Sequence, residues 1–260
     1  MKKAKNSQGN ALVIILAVVA VLVVGYILVS RFVVPSIVGK VVNTVIDTSV
    51  TSLNFDSAKS YPVSQDLSNN KGMVLQISSN RGEISLDGRS QGDILTGEIK
   101  YLGEKTTFDY QTDQDEAAIF NIKSGDQSGA GENIILHLSQ LTNGRIDIGL
   151  GAGSVDIDLT DLDIPILNIG AGAGVLDVTF SKNASTIANL AAGAGKLNLS
   201  IYKGTGVKIR LTQGISNANF GDAYEKVGDA YQTKNYSDAK VKVELNIGQA
   251  VGGLNIQEIE

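Results

Sequence analysis

The chain has 260 residues, 22 of them basic and 27 acidic, for a net charge of −5, with 43% apolar residues, 29 glycines, one histidine and no cysteine. The missing thiols exclude disulfides, thiolate metal sites and cysteine catalysis. A lone His137 leaves neither a zinc site nor a histidine-dependent triad with its parts, and it reads as a surface residue pointing away from Leu136 and Leu138.

Residues 1–10 form a basic tail with Lys2, Lys3 and Lys5, and residues 11–29 are nineteen uncharged, almost wholly apolar residues followed by Arg31. Such a run is long enough to cross a bilayer as a helix and longer than the apolar core of a cleaved signal peptide. Residues 11–30 are therefore read as an uncleaved single-pass anchor in the lipid bilayer. The lysines before the span predict a cytoplasmic amino terminus and an extracytoplasmic remainder in the cell membrane. Setting Lys2, Lys3, Lys5 and Arg31 aside from the 22 basic residues, against 27 acidic ones, leaves the outer part near −9. That balance argues against nucleic acid and against docking on anionic lipid.

Residues 31–71 read as a juxtamembrane connector. Within it, Val34, Val38, Val41 and Val45 recur at helical spacing after Pro35, which fits a stiff stalk or an amphipathic helix along the bilayer. Residues 56–71, with Ser, Asn and Pro62, read as a loop ahead of the folded domain.

Residues 72–260 are expected to be all-β. Leu75-Gln-Ile77 and Gly82-Glu-Ile84-Ser-Leu86 open the domain, and strand-like runs follow at 94–101, 106–110, 117–122 and 134–138. Residues 146–220 then repeat every 21 residues. Ile146-Asp-Ile148-Gly149 to Val155-Asp-Ile157 is matched by Leu167-Asn-Ile169-Gly170 to Leu176-Asp-Val178, and then by Ala188-Asn-Leu190 to Leu197-Asn-Leu199. A weaker fourth copy runs from Ile209 through Leu211 and Gly214 to Phe220, and a fifth returns at Leu245-Asn-Ile247-Gly248 after a polar insertion. Alternation of this kind places apolar side chains on one face of a strand, and a fixed period of it predicts a solenoid-like stack of coils with about three short sides.

Gly149, Gly151, Gly153, Gly170, Gly172, Gly174, Gly193, Gly195, Gly248 and Gly252 are expected as corner residues, where a missing Cβ permits positive φ. A dinucleotide fingerprint needs a single G-x-G-x-x-G between strand and helix, whereas here G-x-G-x-G recurs and leads into another strand. No cofactor and no metal site is expected. Two outward columns, Asp147-Asn168-Asn189-Arg210-Asn246 and Asp156-Asp177-Asn198-Asn219-Asn255, read as structural ladders, with a weak cation site as the alternative. In the insertion, Tyr224, Tyr231 and Tyr236 stand among Gly, Asp and Asn and are the candidates for contact with a protein partner, the alternative being that they cover the seam of the stack.

The glycine-cornered rungs, the Gly221-Asp-Ala-Tyr224 segment with Asn235-Tyr236, and the last glycine-rich strand ending Leu254-Asn-Ile256 together resemble the toast-rack domain. That domain occurs in the LiaF-like, cell-wall-active-antibiotic-response family of bacterial membrane proteins, and the resemblance spans about residues 73–259. It implies a β-solenoid-like domain attached to membrane, associated with envelope-stress signalling and without established enzymatic activity. LiaF-type proteins carry several membrane helices before the domain, and this chain has one. The expected function is a single-pass, non-enzymatic interaction or structural module with protein partners at the cell envelope. The alternatives are a pilin-like or adhesin-type surface subunit and an enzyme acting on cell-wall glycan.

Overall fold

Every regular element of the described residues is a strand, because apolar and polar side chains alternate through each of them. The structure, a computed structural model, describes residues 53–66, 72–113, 117–125, 131–212, 220 and 223–260, apart from the side chains of 250 and 251. The expected tail, membrane span and connector up to residue 52 lie outside them. Among the described residues, no helix is long and apolar enough to cross a membrane.

The strands are β1 (Lys59–Asp66), β2 (Gly72–Ser90), β3 (Asp93–Leu102), β4 (Thr107–Thr112), β5 (Ala117–Lys123) and β6 (Gly131–Ser139). They continue as β7 (Asn143–Asp158), β8 (Asp163–Thr179), β9 (Thr186–Tyr202), β10 (Gly206–Thr212), β11 (Tyr224–Val227), β12 (Ala230–Thr233) and β13 (Lys242–Ile259). All pair into one sheet in the order β1-β3-β6-β2-β7-β8-β9-β13-β10-β12-β11, with β5 beside the first half of β2 and β4 beside β5.

The core of this order is a parallel stack, β2-β7-β8-β9-β13, in which equivalent residues face each other: Ile148↔Ile169↔Leu190 and Ile157↔Val178↔Leu199. The inward side chains change parity as the chain advances. Ile146, Ile148 and Leu150 are buried, then Val155, Ile157 and Leu159, then Leu162 and Ile164, then Leu167 and Ile169. Each change of parity is a corner, so a repeat has three of them, at the glycines, at the turn closed by Leu162 N–H to Leu159 C=O, and beside Pro165. The expected three-sided coil is the one observed. Each Leu or Ile closed inside contributes roughly 1.5–3 kcal/mol, and only stacking brings those columns together.

The glycine corner is enforced by the neighbouring rung. A Cβ on Gly174, whose φ is +154°, would lie 1.8 Å from the carbonyl oxygen of Gly153. The same collision recurs at Gly153, Gly195 and Gly252, and Gly172 and Gly193 would each meet the carbonyl one rung back at 2.5 Å. Two columns are glycine because backbone lies against backbone.

Three arrangements differ from expectation. Residues 59–66 are not a loop: β1 pairs antiparallel with β3, Tyr61 facing Ile99 and Val63 facing Gly97, so the folded domain begins before residue 72. The stack is also out of sequence order, since β13 lies between β9 and β10 and the fourth repeat becomes the outer one. β13 pairs with β9 from Val243↔Thr186 to Ile259↔Tyr202, and β10 pairs in turn with β13 from Gly206↔Lys242 to Thr212↔Gly248. Finally, β5 and β6 are two halves of one further rung, seated on β2 through Leu75↔Phe120 and Ile84↔Ile134, and the chain leaves through β3 and β4 before returning. The insertion between the fourth and fifth repeats is itself ordered over 223–239, where the β11–β12 hairpin pairs with the open edge of β10.

Candidate functional site

Three columns of side chains stand on the outer face formed by the first side of every coil. The middle one is the predicted ladder. Asn168 donates Nδ2–H to Asp147 Oδ1 at 2.6 Å, Asn189 donates to Asn168 Oδ1 at 2.7 Å, and Asn246 donates to Asn189 Oδ1 at 2.9 Å. Gln76 on β2 donates to Asp147 from the other side, and Asn121 on β5 stands in register beyond Gln76. Arg210, expected inside the column, stands in register with Asn246 at its far end. Asn246, Asn189 and Asn168 point their donors one way, toward the carboxylate, so each bond polarises the next. Burial pushes the Asp147 carboxyl up, but hydrogen bonds from Arg145, Asn168 and Gln76 overcome it and hold the pKa below the usual range.

The second column holds Arg145, Ile166, Ile187 and Glu244, and here Ile166 and Ile187 are 39% and 47% exposed. The third runs Ser78, Gly149, Gly170, Ala191 and Gly248. Gly149, Gly170 and Gly248 are expected at a corner. They sit within the first side instead, without positive φ, and a Cβ on Gly170 would meet nothing within 4 Å. Between the ladder and this flat floor runs an open groove of about 540 Å³, bordered by Gln76, Asn121, Lys123, Asp147, Asn168 and Asn189.

The next face is acidic. Asp156 and Asp177 are register neighbours, and Asn198 donates to Asp177 Oδ1 at 2.7 Å, while the predicted Asn219 lies outside the described residues. Asp156 has its pKa raised, first by burial and then by the charges of Asp177, Asp158 and Asp87. His137 Nδ1 lies 2.7 Å from Asp87 Oδ1, and Arg89 pairs with the same carboxylate; these bonds outweigh burial and lower the Asp87 pKa. Among the described residues, no three His, Cys, Asp or Glu side chains are grouped to hold a metal.

The three tyrosines divide. Tyr224 and Tyr231 pack on Phe220, with ring centroids 5.5 and 4.7 Å away, and all three rings rest on the core. Burial, reinforced by Glu258, pushes the Tyr224 phenol up to about 12. Tyr236 donates its hydroxyl to Glu244 Oε1 at 2.7 Å and lies under Lys208 and Lys242. Tyr224 and Tyr231 thus pack at the end of the stack, while Tyr236 reaches Glu244 of the second column on the ladder face.

One buried group escaped the sequence. Glu132 is 1% exposed, with Oε2 accepting from Ser79 Oγ at 2.6 Å and Oε1 from Ser124 Oγ, and it ties β2 to the break between β5 and β6. Gln76 and Asn121 were legible only by aligning β2 and β5 as rungs, Gln76 lying two positions before Ser78 of the small-residue column and Asn121 pairing with Gln76.

The profile of the N-terminal toast-rack domain, DUF2154, matches residues 51–200, more than half of the chain. The chain belongs to the toast-rack family. Its toast-rack domain is similar to a solved protein from Clostridium sporogenes, provisionally assigned to cell adhesion. The two share 22% identity over 78% of this chain and the whole of the other, with a TM-score of 0.70. That likeness establishes the fold. No curated protein sequence matches the chain. In this toast-rack domain the family's repeated rung supplies both the closed core and the ladder on its outer face.

Proposed function

We propose that this protein is a single-pass membrane module that displays its toast-rack stack outside the cell and binds a partner at the envelope without chemistry of its own. The observation that carries the reading is the ladder face. Five rungs place an amide or carboxylate in one row, beside an open floor and two exposed isoleucines, on a backbone locked by parallel pairing. A surface of that regularity suits recognition of an extended partner. The toast-rack family and a structural relative assigned to adhesion support an envelope setting. The apolar run of residues 11–29 and the lysines before it support the anchor and the orientation. Participation in envelope-stress signalling, as in LiaF-like proteins, is the finer form of this proposal.

The test has two arms. A reporter active only outside the cytoplasm is expected to work when fused after Glu260, and a signal from a cytoplasmic reporter alone would overturn the orientation. Photo-crosslinkers placed at Ile166 and Ile187 in intact membranes are expected to capture an envelope component. Capture from the acidic face at Asp158 but not from the isoleucines would move the contact surface away from the ladder.

A further inference from the structure

Gly149 and Gly170 are glycine for no reason internal to the fold. Neither has positive φ, a Cβ on Gly170 would meet nothing within 4 Å, and one on Gly149 would meet only the Ile77 carbonyl at 3.9 Å. Glycine inside a strand costs roughly 0.5–1 kcal/mol relative to alanine, and where no bulge or bend requires it, it marks a close approach by something else. Here the two bare positions lie side by side on the floor of the ladder groove.

The groove wall has unused capacity. Each of Asn168 and Asn189 spends one of its two amide hydrogens and one of its two acceptor lone pairs on the ladder, leaving one donor and one acceptor per rung. Lys123 places a cation at the β5 end of the groove; along Asp147, Asn168 and Asn189 the wall is close to neutral, since Asp147 is paired with Arg145 at 2.8 Å and its neighbours are amides, while the acidic side chains Asp156, Asp158 and Asp177 stand on the next face. An uncharged ligand is complementary to it. Two of the rungs also carry an exposed isoleucine, Ile166 and Ile187, on the far side of the amides from the groove.

Spacing chooses among neutral polymers. The ladder repeats at roughly 4.8 Å, the separation of paired strands, whereas an extended peptide advances about 3.3 Å per residue and falls out of step. A β-1,4-linked hexopyranose chain, extended because its linkages are equatorial, advances close to one rung per sugar, carries equatorial hydroxyls around its edge, and exposes apolar C–H faces. We propose that the groove binds a neutral β-linked glycan lying along the stack axis, one sugar per rung, hydroxyls on the amides and a ring edge over Gly149 and Gly170. This deepens the reading of the ladder face as the contact surface, and its test does not depend on membrane orientation.

The full chain, purified in a detergent without a sugar headgroup, is titrated calorimetrically with cellohexaose, N-acetylchitohexaose, the shorter β-linked oligomers of each and the α-linked maltohexaose. Binding of at least one β-linked hexamer, at least tenfold tighter than maltohexaose and strengthening with length up to about five sugars, is expected from the five rungs between Gln76 and Asn246. Gly170→Val fills open space and should leave the circular dichroism unchanged while weakening binding at least tenfold. Asn189→Ala, which removes one amide from the groove wall, should weaken it as well, with circular dichroism again the check on the fold. Equal binding of maltohexaose, no binding of either β-linked hexamer, or unaltered affinity in both variants would overturn the proposal. So would concentration-dependent self-association that Gly170→Val abolishes, because the face would then be an interface between copies. A chain displayed outside the cell that binds no glycan would overturn the ligand and leave the surface module standing. Glycan binding with cytoplasmic topology would do the reverse.

Discussion

Asn189 donates its side-chain N–H to Oδ1 of Asn168 at 2.7 Å, although 21 residues of chain separate the two. The separation is one full coil, and the bond shows that side chains as well as backbones are paired from rung to rung. From Asn246 to Asp147 the bonds run in one sense, which sets a direction along that part of the stack.

Removing the middle of the column should therefore affect two bonds. Asn168→Ala leaves Asn189 without its acceptor and takes one donor from Asp147, and at about 0.5–1.5 kcal/mol per bond the loss should be roughly 1–3 kcal/mol in urea unfolding. Asn168→Asp should cost more, because it sets a second carboxylate beside Asp147. A loss from Asn168→Asp no greater than from Asn168→Ala would show that the column is not electrostatically coupled.

The two kinds of glycine should respond in opposite ways. Gly174→Ala forces a Cβ to within 1.8 Å of a carbonyl oxygen at φ +154°, and no folded domain should be recovered. Gly170→Ala should raise stability by up to about 1 kcal/mol through backbone entropy alone. Similar melting temperatures for the two variants would contradict the packing described at the corner.

Inward and outward positions one residue apart make a sharper contrast. Val178 is 2% exposed, so Val178→Asp buries an unpaired charge and should unfold the domain. Asp177→Ala removes the acceptor of Asn198 but also relieves Asp156, and its net effect should stay within about 1 kcal/mol.

Acidic self-repulsion predicts a pH signature. Because the folded pKa of Asp156 is raised, its contribution to stability is present below the unfolded value near 4 and lost as pH rises through the folded value. Asp156→Asn should thus stabilise the protein at neutral pH, by less than about 1 kcal/mol given its partial exposure, and the gain should vanish below pH 4. Asp87 and Asp147, with lowered values, behave oppositely: their stabilisation is held above about pH 4 and lost on acidification. A gain from Asp156→Asn that persists at pH 3 would mean that charge is not its source.

Tyr231→Ser removes a ring seated 4.7 Å from Phe220 against the core. For a half-buried ring the loss should approach about 2–3 kcal/mol, below the 3–5 kcal/mol of a fully buried aromatic. Tyr236→Phe deletes only the bond to Glu244 and should cost about 1 kcal/mol. Unchanged stability in Tyr231→Ser together with lost crosslinking in membranes would return the tyrosines to an interface role.

The 21-residue period, the inward parity of residues such as Ile148 and Val178, the three-sided coil and the Asn168–Asn189 column were all legible in the amino-acid sequence. Each is a relation between a residue and its equivalent one period away, and alternation with a fixed repeat encodes that relation directly. The order of the rungs was not legible. Every rung offers its neighbours the same backbone donors, acceptors and apolar column, so local pattern does not say that β13 lies on β9 or that β5 and β6 together cap β2. Tertiary structure decided this: β13 covers β9 from Val243↔Thr186 to Ile259↔Tyr202, and β10 pairs on the other edge of β13. It also separated the glycines that backbone contact requires, such as Gly174, from Gly170, whose missing side chain opens a groove. That distinction exists only once a neighbouring rung is, or is not, in the way.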